Sequence, residues 1–141
     1  MPVLSTDEMI QELRHAGYRL TRQRLAIVGQ MAGRPDHPSV KQIYSELNEA
    51  QPEISLATVY NTLNALVDLS LLREVEFEDA DNRFDTNLSP HINIICLKCG
   101  NIVDYNVNLP LKPAKLAREN GFKTVDCRME YRGICHTCLT K

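Results

Sequence analysis

The stretch that decides the fold of the second half of the chain is His91-Ile92-Asn93-Ile94-Ile95-Cys96-Leu97-Lys98-Cys99-Gly100-Asn101-Ile102-Val103-Asp104. Its centre is a C-x-x-C pair, Cys96 and Cys99. The same spacing returns near the C-terminus at Cys135 and Cys138. A two-residue spacer lets two thiolates meet one metal ion at tetrahedral angles, so two such pairs predict a closed four-thiolate site for structural Zn²⁺.

Two alternatives for these cysteines are an iron–sulfur cluster and disulfide bonds. Disulfides are disfavoured in the cytoplasm, which is the expected location. No apolar run approaches the roughly 20 residues that span a membrane, and the first residues lack the layout of a signal peptide. The fifth cysteine, Cys127, alternates with apolar neighbours and is interpreted as a small buried residue in a strand. His136 lies inside the second C-x-x-C pair, but four thiolates make it unnecessary as a ligand.

Length and charge limit the possible classes of protein. A chain of 141 residues with 43% hydrophobic residues holds one ordinary globular domain or two small ones. Neither half can bury a large core alone, so a metal ion or dimerisation is an expected source of stability. Residues 1–85 carry a net charge of −6 and residues 86–141 a net charge of +4. Net charge therefore argues against nucleic-acid binding by the first half, and such a function must rest on local charge placement.

Apolar periodicity and capping residues predict four helices in the first half, at 6–16, 22–32, 40–50 and 56–69. Each begins after a hydroxyl-bearing N-cap, namely Ser5, Thr21, Ser39 or Ser55. Glu8 and Gln42 complete the capping-box pattern at the first and third helices. Alternating residues at 71–77 and 83–86 then predict a β-hairpin. This order of elements is typical of a winged helix-turn-helix, a common DNA-binding layout.

The fourth helix has two chemically different faces. Its predicted apolar stripe is Leu56, Val59, Leu63, Leu66 and Val67. Its other face is short, polar and almost uncharged, with Ala57, Thr58, Tyr60, Asn61 and Asn64. Such side chains can contact base edges, although an ordinary solvent-exposed face has the same pattern. Three arginines crowd the start of the second helix and suit phosphate or minor-groove contacts, or else a solvated face: Arg19, Arg22 and Arg24.

The second half follows a different pattern. Strands are predicted at 92–96, 101–106 and 122–131, with a helix at 110–120. The fold class is therefore α+β. Residues 1–86 are expected to form the winged-helix DNA-binding domain, and residues 87–141 an α/β domain for dimerisation and metal binding.

Taken together, these motifs resemble the ferric-uptake-regulator superfamily. The resemblance rests on Ser55-Leu56-Ala57-Thr58-Val59-Tyr60, on Arg19-Leu20-Thr21-Arg22-Gln23-Arg24, and on the two C-x-x-C pairs in a second domain. It covers essentially the whole chain and is strongest with the peroxide-responsive branch of the family. It implies a homodimeric repressor, not an enzyme. Such a repressor binds a palindromic double-stranded DNA operator when a regulatory Fe²⁺ or Mn²⁺ is bound, and releases it when the metal is lost or its ligands are oxidised.

The resemblance also implies functional residues. The regulatory metal site falls on His37, Asp85, His91, Asn93 and Asp104. The expected DNA contacts are Arg19, Arg22, Ser55, Thr58, Tyr60 and Asn61. Asn93 departs from the pattern, because the family usually has a second histidine there. An asparagine can supply a carbonyl oxygen to the metal, leave the site four-coordinate, or donate a hydrogen bond.

Three rival functions are weighed against the residues. An iron-, manganese- or zinc-responsive uptake regulator would use the same sites without peroxide chemistry. A zinc hydrolase or deaminase needs an open zinc site with a nearby general acid or base, and the chain has no H-x-E motif. A zinc-stabilised interaction domain without a DNA role would agree with the acidic first half.

Overall fold

The computed structural model describes residues 3–78, 80–106, 113–123 and 128–141. The chain divides into two compact units, Met1–Leu88 and Ser89–Lys141. The first contains α1 Thr6–His15, α2 Arg22–Met31, α3 Val40–Asn48, α4 Leu56–Asp68, β1 Arg73–Val75 and β2 Arg83–Asp85. The second contains β3 His91–Cys96, β4 Ile102–Asn106, α5 Pro113–Glu119, β5 Glu130–Gly133 and α6 His136–Leu139. The predicted α+β class is confirmed, and the first unit has the helices and hairpin of a winged helix-turn-helix.

The four helices of the first unit begin at the predicted caps. Ser5, Thr21, Ser39 and Ser55 each accept a hydrogen bond from the backbone N–H three residues later. The capping box of α1 is complete. In α3 the predicted box is only half right, because the Gln42 side chain donates to Asp36 at 3.2 Å instead. The hydrogen bond to the ionised Asp36 carboxylate is charge-assisted. It is therefore stronger than the neutral bond from the N-cap backbone N–H that would complete the box.

One apolar core joins all four helices to the hairpin. Its fully buried side chains include Met9, Leu13, Ile27, Val28, Met31, Ile43, Leu63, Leu66 and Phe84. The prediction for Leu56 is wrong, since it is 42% exposed in the first turn of α4 and lines an open groove facing the hairpin. Strands β1 and β2 are three residues each, shorter than predicted, because Leu71 and Leu72 are buried in the core before β1 begins.

The second unit is built on a three-stranded sheet in the order β4-β3-β5. Strand β3 pairs antiparallel with β4 and parallel with β5. The predicted strand at 122–131 is wrong in its bounds, because the observed strand is Glu130–Gly133 and residues 122, 123, 128 and 129 lie outside it. The register of β5 against β3 is fixed next to the cysteines, where the Leu97 N–H donates to the Gly133 carbonyl oxygen at 2.8 Å. The interpretation of Cys127, and the predicted helix start at 110–112, fall outside the described residues.

The two faces of this sheet differ in chemistry. Ile94 pairs with Val103 on one side and with Tyr131 on the other, so the three side chains share one face. All three are exposed, at 43%, 51% and 67% respectively. The opposite face carries His91, Asn93 and Asp104, with Asn93 directly across from Asp104. Among the described residues, no helix has the length and apolar character needed to span a membrane.

Candidate metal centres and nucleic-acid interface

The four predicted zinc ligands lie together in the second unit. The Sγ atoms of Cys96, Cys99, Cys135 and Cys138 are all within 4.8 Å of one another. The Sγ atoms of Cys99 and Cys135 are 3.8 Å apart. Four sulfurs bound at about 2.3 Å to one tetrahedral zinc ion lie about 3.8 Å apart, so the cluster has the dimensions of a four-thiolate zinc site.

Backbone hydrogen bonds prepare one of these thiols for metal binding. Cys96 Sγ accepts the N–H groups of Cys99 at 3.5 Å and of Cys135 at 3.3 Å. These two donors lower the pKa of Cys96 to about 6, because they stabilise the thiolate. The pKa of Cys138 is raised to about 12 by its hydrogen bond with Cys135 and by burial. Metal ions bind thiolates, so the lowered pKa of Cys96 favours metal binding, whereas Cys138 must give up its proton to the solvent when a metal binds.

Two of the predicted regulatory ligands lie together in the first unit. His37 Nε2 is 3.6 Å from Asp85 Oδ2, and both side chains are buried. Asp85 ends β2, whereas His37 lies in the loop before α3 with a φ of 48°. We call this pair the first half-site.

The other three predicted ligands share one face of the sheet in the second unit. His91 Nε2 is 3.1 Å from Asn93 Oδ1 and 3.8 Å from Asp104 Oδ1. His91 Nδ1 is 2.7 Å from the Ser89 carbonyl oxygen, which can only accept. Nδ1 therefore donates to this carbonyl, and Nε2 is the ring nitrogen that faces Asn93 and is oriented for metal binding. We call this trio the second half-site.

The distances within the second half-site suit adjacent metal ligands. Two donor atoms at right angles, each about 2.1 Å from one octahedral ion, lie about 3.0 Å apart. The 3.1 Å separation of His91 Nε2 and Asn93 Oδ1 agrees with that value. The atom of Asn93 that faces His91 Nε2 is its carbonyl oxygen, which can only accept, so the geometry agrees with the role in which Asn93 offers this oxygen to the metal.

The predicted DNA contacts lie on α4 and at its N-cap, and around the start of α2. Tyr60 and Asn61 are exposed on α4, and Tyr60 is 51% exposed. Ser55 Oγ accepts the Thr58 N–H at 3.1 Å and lies 2.8 Å from Thr58 Oγ1. These two side chains therefore cap the N-terminus of α4 in this structure.

The arginines around the start of α2 take two different roles. Arg19 and Arg22 are exposed. Arg24 donates to the carbonyl oxygen of Arg19 at 2.6 Å and lies 5.4 Å from the centre of the Tyr18 ring. Arg24 thus fixes the turn that carries Arg19, while Arg19 and Arg22 are available to an anionic partner.

Sequence reasoning missed the residues that hold the His37 loop. Arg83 donates to the His37 carbonyl oxygen, and Thr86 Oγ1 donates to the Arg34 carbonyl oxygen at 2.6 Å. Arg83 is 46 positions from His37, and an arginine in a hairpin strand has no local signal that indicates such a contact.

Known proteins with similar sequences cover nearly the whole chain. The model of the ferric uptake regulator family matches residues 15–132. The peroxide-responsive repressor PerR of Staphylococcus epidermidis is 38% identical over 133 residues, which are 94% of this chain and 89% of that protein. PerR of Staphylococcus aureus strain USA300 is 38% identical over 136 residues, covering 96% of this chain and 92% of that protein.

Solved structures of similar fold include regulators of more than one kind. PerR of Streptococcus pyogenes is 30% identical with a TM-score of 0.53, covering 96% of this chain and 95% of that one. A zinc-bound manganese uptake regulator is 28% identical with a TM-score of 0.64, covering 90% and 98%. The ferric uptake regulator of Helicobacter pylori has a TM-score of 0.75 at 21% identity, covering 99% and 97%, and supports the fold alone.

Proposed function

The chain belongs to the ferric uptake regulator family, and we propose that it is a metal-dependent, DNA-binding transcriptional repressor that responds to peroxide. The observation that carries this proposal is the pair of half-sites, because each unit holds an imidazole and a carboxylate at distances suited to metal binding. The likeness to PerR proteins over nearly the whole chain supports peroxide as the signal.

One metal ion bound by both half-sites would make binding energy available for a conformational change. Its ligands would be His37, Asp85, His91, Asn93 and Asp104. Two imidazoles, two carboxylates and one amide oxygen suit Fe²⁺ or Mn²⁺ better than a thiolate set does. A metal that needs ligands from both units stabilises only the arrangement that supplies them all, and we propose that this arrangement binds the operator.

The four cysteines serve a different, permanent metal. We assign Zn²⁺ to them because a closed thiolate site is suited to zinc and leaves no coordination position for chemistry. The site would fix the segment that follows β5 to the end of β3, so that the sheet bearing the second half-site keeps its shape.

A second copy of the chain is the proposed partner of the apolar sheet face. Ile94, Val103 and Tyr131 form neighbouring cross-strand pairs and are exposed in the single chain. Contiguous exposed apolar side chains on a sheet mark an interaction surface. A homodimer would present two copies of α4, and a palindromic operator mirrors that symmetry. We propose that the protein acts in the cytoplasm, the compartment that also holds the DNA.

A regulator of manganese, iron or zinc uptake is the second candidate. Asn93 favours it, because an amide oxygen replaces an imidazole beside His91 and makes the site harder. The likeness to a manganese uptake regulator points in the same direction. Both candidates use the same residues and differ in the response to peroxide.

Peroxide treatment of the Fe²⁺-loaded protein separates the two candidates. We expect His37 or His91 to gain about 16 Da, one oxygen atom, while the peroxide is reduced to water; thioether and thiol side chains gain oxygen in the same increments. DNA binding should be lost with the modification, and the Mn²⁺-loaded protein should change in neither respect. Peptide mass spectrometry with a parallel gel shift measures both. Unmodified histidines with DNA binding retained would contradict peroxide sensing and leave the uptake regulator.

Substitutions at the DNA interface should separate base recognition from phosphate binding. Asn61→Ala is expected to relax preference at one base pair at a cost of about 1–3 kcal/mol, because it removes a base-edge contact. Arg22→Ala is expected to weaken binding on all sequences and to reduce the slope of log K against log salt by about one. Titrations of matched and mismatched duplexes at several salt concentrations measure both. Equal effects of the two variants on specificity would contradict these roles.

A further inference from the structure

We propose that Arg83 is the positioning residue that holds the backbone of His37 in the conformation needed for metal binding, and that it thereby couples the hairpin to the regulatory site. The inference rests on the proposed function, since it assumes that His37 binds the regulatory metal. Arg83 is not among the proposed ligands and acts through the loop that carries one of them.

The loop has a backbone conformation that needs outside support. His37 has a φ of 48°, in the left-handed region that residues with a β-carbon disfavour. Such a conformation persists only where the surroundings determine it. The residue is also followed by Pro38, which restricts its backbone further.

Arg83 supplies that support from β2. Its Nε donates to the His37 carbonyl oxygen, and its Nη2 lies 3.4 Å from the Asp36 carbonyl oxygen. One planar guanidinium thus spans two successive carbonyls, and its rigid fork of donors fixes their positions more firmly than a single rotatable ammonium would. Arg83 is also paired with Ser39 in an antiparallel β-bridge, and Phe84 N–H donates to the Pro38 carbonyl oxygen at 2.9 Å.

The position of Arg83 on its strand explains why this contact affects the metal site. Arg83 and Asp85 are two residues apart on β2, so their side chains point to the same side of the hairpin. The same short strand therefore carries one proposed ligand and holds the backbone of another. A shift of β2 relative to the loop would change the His37–Asp85 distance, which is 3.6 Å.

A second set of contacts fixes the start of the loop, before His37. The Arg34 guanidinium donates to Asp36 at 2.6 and 2.9 Å and to Glu46 on α3 at 3.1 Å. Arg34 holds the pKa of Asp36 at about 2, chiefly through these hydrogen bonds. Because Arg34 already fixes the start of the loop, loss of Arg83 should free the His37 peptide without unfolding the unit.

The test is the Mn²⁺ affinity of the full-length, zinc-loaded protein, measured by competition with a fluorescent chelator. Arg83→Ala is expected to weaken Mn²⁺ binding about 10- to 100-fold, as loss of a residue supporting a ligand typically does. The Mn²⁺ affinity of Arg83→Lys should fall between those of Arg83→Ala and the wild type. Operator binding at saturating Mn²⁺ should return to the wild-type level, which a general structural defect would not allow.

Lys41→Ala is the matched control, because it removes a cation of α3 whose ion pair with Asp81 of the same hairpin is exposed. It should leave Mn²⁺ affinity unchanged. Wild-type affinity in Arg83→Ala, or failure of saturating Mn²⁺ to restore operator binding in both Arg83 variants, would overturn the inference. If His37→Ala binds Mn²⁺ as tightly as the wild type, the proposed function fails instead, so the two failures are distinguishable.

Discussion

Replacing Cys96 with serine is expected to abolish zinc binding and unfold the second unit. Structural zinc sites contribute roughly 10–16 kcal/mol of apparent binding free energy, which is folding free energy where no site exists in the unfolded chain. The unit spans Ser89–Lys141 and is too small to replace that contribution with an apolar core. Among the four cysteines, replacing Cys96 should cost the most folding free energy. It ends the central strand, and its sulfur accepts two backbone N–H groups.

Zinc content, far-UV circular dichroism and sedimentation together measure this outcome. The wild type should carry one zinc ion per chain and sediment as a dimer, whereas Cys96→Ser should lose zinc, sheet signal and dimer. Cys127→Ser is the control, because the sequence excludes it from the two C-x-x-C pairs. A zinc-free Cys96→Ser that retains the wild-type spectrum and the dimer would contradict a structural role for the cluster.

Removing one ligand from either half-site is expected to abolish metal-activated operator binding. A metal present at 100 times its dissociation constant stabilises the state that binds it by about 2.7 kcal/mol, which corresponds to a factor of about 100 in operator affinity. His37→Ala in the first unit and Asp104→Ala in the second should both lose most of that factor. Equal losses are expected because the proposed site needs ligands from both units.

Fluorescence anisotropy of labelled operator DNA with and without Mn²⁺ measures the loss, with zinc content as the check on folding. Asp81→Ala is a suitable control, since it removes an exposed carboxylate of the hairpin that is not a proposed ligand. If His37→Ala retained full activation while Asp104→Ala lost it, the metal would belong to the second unit alone, and the proposal of a shared site would be wrong.

Local rules predicted the helices of the first unit to within two residues at each end. Apolar periodicity and hydroxyl caps act within a few positions, so they are visible in the sequence. The errors arise where a distant residue competes with a local rule. Gln42 donates to Asp36 instead of closing its capping box, and β5 takes its register from the cysteine cluster instead of from its own alternation.

The candidate sites were predictable to different degrees. The cysteines could be found from spacing alone, because the geometry of a zinc site requires it. The regulatory residues could be found only through the family resemblance, since His37 and Asp85 are far apart in sequence and carry no spacing rule. The support of the loop by Arg83 could not be predicted, because it depends on how the hairpin packs beside the start of α3.

The most direct test of the central claim compares operator affinity with and without the regulatory metal in the zinc-loaded wild type. A duplex is first selected from random sequence by the Mn²⁺-loaded protein, and its dissociation constant is then measured in Mn²⁺ and in a chelator that leaves the zinc in place. The predicted result is a palindromic site bound about 100-fold more tightly in Mn²⁺. Selection of no preferred sequence, or equal affinity under the two conditions, would contradict the assignment of this chain as a metal-dependent repressor.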